Sequence, residues 1–120
     1  VFFDVFLSVA TRARKLVKAV EAEEKLPVDL LEWRFLIPPL HVYKALMVNR
    51  SLEDATGWAG RAIREDEAGQ HVEALESLKR ANEHLAEARW FRNASDEEVN
   101  GRLARHYSWV LLGGRPVYLI

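Results

Sequence analysis

The chain has 120 residues, 49% of them hydrophobic and 29% charged, with a net charge of −1 and no cysteine. That length fits one domain spanning 1–120 with a single core, and the composition excludes both a disordered and a membrane-embedded class. The absence of cysteine excludes disulfides and thiolate metal ligands and suits a reducing cytoplasm.

Charge is unevenly placed: +2 over residues 1–50, −6 over 51–98 and +3 over 99–120. Near-neutrality gives no bulk attraction to nucleic acid or anionic membrane, while the acidic middle and basic end are those of solvated helix faces or of complementary subunits. Twelve arginines against five lysines, with one Gln and one Met, are the pattern of a thermophilic source or of GC-rich coding.

The opening stretch, VFFDVFL, is apolar but far shorter than the ~20 residues of a spanning helix. The basic group Arg12, Arg14, Lys15 and Lys18 follows it, the reverse of a secretory signal's order. Phe2, Phe6, Val9, Ala13, Leu16 and Val20 recur at spacings of three and four, which predicts one helix over 2–24. Pro27 suits a first helical turn and opens a short helix that Pro38 and Pro39 end. A third helix begins there and is expected to stop at Asn49-Arg50.

Ser51 is the expected N-cap of the next helix, over about 52–67, whose inner stripe is Leu52, Ala55, Ala59, Ala62 and Ile63. Gly69 stands where a left-handed residue closes a helix. From Gln70 to Phe91, Ala74, Leu78, Ala81, Leu85 and Ala88 alternate four and three, a seam of small and large residues. Ser95 and Glu98 form a capping box for a last helix with Val99, Leu103, His106 and Val110 on one face, stopped at Gly113-Gly114. The final RPVYLI is short and strand-prone, expected as an extended docked tail. The expected architecture is therefore all-α: about five helices around a central antiparallel hairpin.

Chemistry is sparse. Glu65, Asp66, Glu67 and His71 are raw material for a metal or acid–base site, but Gly69 breaks the helix between them, so they are expected to be a solvated corner. His41, His71, His84 and His106 share no metal-ligand spacing, and neither a phosphate-binding glycine loop nor a nucleophile beside a base is present. No cofactor or metal is implied. Trp33, Trp58, Trp90 and Trp109 fall on different predicted helices and read as one aromatic core.

Three resemblances follow from particular residues. Arg102 and His106, like Arg80 and His84, are similar to the Arg and His of ribonucleases of the higher-eukaryote-and-prokaryote nucleotide-binding class, which are small helical bundles, although here only three residues separate the two. With Tyr107 and Trp109 nearby for stacking, that resemblance implies RNA binding or cleavage, with Arg102 and His106 as its residues.

Trp58, Ala62, Gly69, Ala74, Leu78 and Ala81 match the spacing of a tetratricopeptide repeat. The same stretch, through Ala62-Ile63, Asp66, Ala68-Gly69 and Ala74-Leu75, also resembles the microtubule-interacting-and-transport hairpin. Both resemblances cover residues 55–88 and imply a helical scaffold that binds a peptide, a helix or another copy of itself.

The sequence thus points to a non-enzymatic protein–protein interaction or assembly module that self-associates as a homo-oligomer. Phe2, Phe3, Phe6, Val117, Tyr118 and Leu119, in the two most hydrophobic stretches, are its expected contact residues. The alternatives are an RNA-binding or RNA-cleaving bundle and a structural subunit of a larger particle or filament.

Overall fold

The computed structural model describes residues 8–33 and 37–108. Among them lie four α-helices and no strand: α1 (Val9–Ala22), α2 (Leu40–Glu67), α3 (His71–Asn93) and α4 (Asp96–His106), with a 3-10 turn at Leu30–Glu32. The all-α class is as expected; the helix count and several boundaries differ.

The first helix begins at Val9, because Ser8 has extended backbone (φ −62°, ψ 157°) and its side chain accepts from the Thr11 N–H. Of the helix expected from Pro27, the described residues form one 3-10 turn, capped by the Asp29 carboxylate. Leu30 and Leu31 there are 59% and 84% exposed, so no packed face sustains a longer helix.

The break expected at Asn49–Ser51 is absent, and α2 runs unbroken for 28 residues, roughly 42 Å at 1.5 Å per residue. Two local facts explain this. Ser51 is buried in the stripe that continues from Val48 through Leu52 to Ala55, so packing overrides its capping tendency. Asn49 directs its side chain to the loop after α1, accepting from the Leu26 N–H and donating to the Leu26 carbonyl, both at 2.8 Å. Its amide thereby stands in for a missing backbone partner.

The α2–α3 hairpin is the organising unit. Gly69 holds φ +82° at the corner, in the left-handed region that costs glycine nothing. Beyond it Ala55, Ala59 and Ala62 on α2 and Ala74 and Ala81 on α3 are fully buried. Methyl-sized side chains at the crossing let the two backbones approach closely, and Leu52, Leu78, Leu85 and Phe91 fill the space beside them.

The first helix packs on this hairpin through Val9, Ala13, Leu16 and Val20. It starts at the corner, where the Ala10 N–H donates to Asp66, and finishes at the far end, where Glu23 pairs with Arg89 and Arg92. It is therefore antiparallel to α2 and parallel to α3. The fourth helix opens with the expected capping box, Ser95 and Glu98 bonding reciprocally, and inserts Val99 and Leu103 into the core. It closes at His106, with Tyr107 as C-cap; the stop expected at Gly113-Gly114 lies outside the described residues. The docked tail expected for RPVYLI lies outside the described residues.

Candidate interaction surface

Three places hold the residues that could carry function. The corner cluster comes first, and its three carboxylates point to five different partners. Asp66 accepts from the Ala10 N–H at 2.9 Å and from His71 Nδ1 at 2.5 Å. Glu65 accepts from the buried Ser77 hydroxyl and pairs with Arg61 at 3.5 Å, while Glu67 pairs with Arg14. These groups diverge rather than converge, and the described residues contain no group of three His, Asp or Glu able to hold a metal.

Nor are they merely a wetted corner. They tie α2 to α1 and to α3, and Asp66 serves as an N-terminal acceptor for a helix 56 positions earlier in the chain. The Ala10 hydrogen bond first, and the His71 hydrogen bond second, hold its carboxyl below the ordinary aspartate range.

The second place is the aromatic corner where α4 meets α2 and α3. Tyr43 is buried and lies edge-on to Phe91, His106 and Tyr107, with centroids at 5.9, 5.7 and 6.3 Å. Burial, followed by the Tyr107 neighbour, raises the Tyr43 pKa, and burial raises that of Tyr107, so both phenols stay neutral across the ordinary range.

Arg102 lies 4.5 Å above the Trp90 ring and 3.6 Å from Glu87. His106, expected on the apolar stripe, is exposed and stacks on Tyr107 at 4.8 Å. Both residues expected of a ribonuclease thus join one aromatic cluster, but the Arg102 charge is already answered by a carboxylate and a ring face.

The third place is a groove between the parallel helices α1 and α3. Two adjoining cavities, of about 440 and 390 Å³, share Arg12, Leu78 and Asn82 in their walls. Leu16 and Ala19 from α1 and Leu85 from α3 extend the floor toward the far end. At the corner end Leu75 lines the groove and is 47% exposed; Val72, about one turn earlier on α3, is 77% exposed. Arg12 from α1 and Lys79 and Glu83 from α3 stand in the walls. The Arg12 Nε is buried and has no hydrogen-bond partner among the described residues.

Periodicity marks Val72 and Leu75 as lying off the Ala74–Leu78–Ala81 seam, and that was the available signal for this surface. The pairing of α1 with α3 was not legible, since nothing local states which helices become neighbours. The contact residues expected at the termini, Phe2, Phe3, Phe6, Val117, Tyr118 and Leu119, lie outside the described residues.

Comparison with protein-family models, with curated proteins and with solved structures finds no match for this chain. The hairpin itself has Ala62, Ala74 and Ala81 buried at its crossing and Gly69 at its corner.

Proposed function

We propose that this chain is a non-enzymatic helical protein–protein interaction or assembly module of the cytoplasm, with the α1/α3 groove as a docking surface and self-association among its uses. The observation that carries this reading is the exposure of Leu75 in the lining of a groove with an apolar floor, with the exposed Val72 about one helical turn before it on α3. Large apolar side chains placed side by side in water beside a concave apolar surface are the usual mark of a partner site. No described helix is long and apolar enough to cross a membrane.

The test is a comparison of wild type with Leu75→Glu and with Phe3→Asp by sedimentation and circular dichroism. Self-association predicts an oligomer that one of these variants reduces to a smaller species with its helix content kept. Docking of another protein predicts that proteins retained from the source cells by wild type are lost with Leu75→Glu. A monomeric wild type that retains the same proteins as Leu75→Glu would end this reading.

A further inference from the structure

We infer that the α1/α3 groove receives an amphipathic helix that sets a carboxylate among apolar side chains; this rests on the interaction-module reading above. The floor asks for hydrocarbon: Leu16, Ala19, Leu78 and Leu85 line it, and Leu75 prolongs it at the corner end. The walls ask for negative charge. Arg12 stands on one side and Lys79 on the other, and among the described residues of the lining Glu83 is the anion.

Arg12 sharpens the demand. Its Nε is a buried donor without an acceptor among the described residues, and a guanidinium N–H taken out of water needs one. A partner carboxylate seated over the part of Arg12 that lines the groove supplies the opposite charge, with the fork geometry that favours arginine over lysine at such a place.

The groove also selects the form of its occupant. Its two walls are helices whose backbone groups are already paired internally, so they offer no ladder to an extended strand. A helix satisfies its own backbone and needs only side-chain complementarity. From Leu75 to Leu85 the groove runs roughly 15 Å at 1.5 Å per residue, the span of about three helical turns. A second copy presenting this same face would meet it isologously and bring the cations of one groove toward those of the other, which electrostatic complementarity disfavours.

The experiment uses the full chain and two fluorescent helical peptides of about 16 residues. Both carry leucine on one stripe; one is flanked by glutamates, the other by lysines at the same places. The glutamate peptide is expected to bind at least about tenfold tighter than the lysine peptide, with an advantage that shrinks in high salt. Arg12→Gln and Lys79→Glu are each expected to weaken it about tenfold, Lys79→Glu with unchanged helix content because that side chain is exposed.

Equal binding of the two peptides would overturn the charged recognition and leave the interaction-module reading standing. Binding of neither would overturn the proposal. Its cause would then be read from Leu75→Glu: dissociation of an oligomer gives the groove to a second copy, and loss of stability in a monomer gives it to the chain's own terminal residues. If no variant changes mass, stability or retained proteins, both readings fall together.

Discussion

The Asp66 carboxylate accepts a hydrogen bond from the Ala10 N–H at 2.9 Å, joining the last turn of α2 to the first turn of α1 across 56 positions of sequence. An N-terminal N–H has no partner within its own helix, and Asp66 supplies one from outside. His71 Nδ1 donates to the same carboxylate at 2.5 Å, so one side chain fixes α1, α2 and the start of α3.

A pH dependence follows from this arrangement. Hydrogen bonding holds the Asp66 pKa below its ordinary value, so its contribution to stability is complete above the unfolded value of about 3.9 and is lost as pH falls through the folded value. Asp66→Asn is expected to be less stable than wild type near neutral pH, and the gap should close in acid. Urea unfolding at about pH 7 and about pH 3 measures this; a gap that widens in acid would contradict it.

Asn49 is expected to be irreplaceable by alanine. Its side chain pairs with both the N–H and the carbonyl of Leu26, and removing it leaves two part-buried backbone groups unpaired. The expected loss is about 1–3 kcal/mol in denaturant unfolding. Asn49→Asp keeps the acceptor and loses the donor, and should fall between.

The alanine seam admits no extra volume. Ala59 and Ala81 are fully buried at the hairpin crossing, and Ala59→Leu or Ala81→Leu should cost about 1–3 kcal/mol and lower the thermal midpoint. Ala86→Leu, on the exposed side of α3, should stay within about 0.5 kcal/mol of wild type.

At the corner, a Cβ on Gly69 would meet nothing within 4 Å, so the whole effect of Gly69→Ala is the backbone at φ +82°. A cost of about 1 kcal/mol is expected, with Gly69→Asn milder because asparagine tolerates the left-handed region. Equal stability of the two variants by thermal unfolding would contradict this account.

Arg102→Ala and His106→Ala test the alternative of RNA chemistry. Arg102 lies over Trp90 and beside Glu87, and its removal is expected to lower stability by about 0.5–1 kcal/mol. No cleavage of a fluorogenic RNA by wild type is expected. Cleavage abolished by both substitutions would make α4 a ribonuclease site and displace the interaction reading.

The sequence carried much of this fold because its strongest signals are periodic and local. The Ala74–Leu78–Ala81–Leu85–Ala88 seam, the Gly69 corner and the Ser95–Glu98 capping box stand where the residues alone placed them. The errors arose where a local signal met a stronger distant one. Asn49 and Ser51 resemble a helix end and a new start, yet one is occupied with Leu26 and the other is buried. The Pro27–Pro38 stretch has apolar residues at helical spacing, but Leu30 and Leu31 are exposed rather than packed among the described residues.

By itself, then, the sequence determined an all-α chain built on a close-packed hairpin, because helical periodicity, glycine's backbone freedom and the size of alanine are properties of residues and their immediate neighbours. Tertiary structure alone decided that Asp66 caps α1, that α1 lies parallel to α3, and that Arg12 and Lys79 face each other across an apolar groove. Those relationships join residues more than fifty positions apart, and no local preference encodes them. They arise when the chain buries its apolar stripes and its remaining donors and acceptors find partners, or are left at a surface without one.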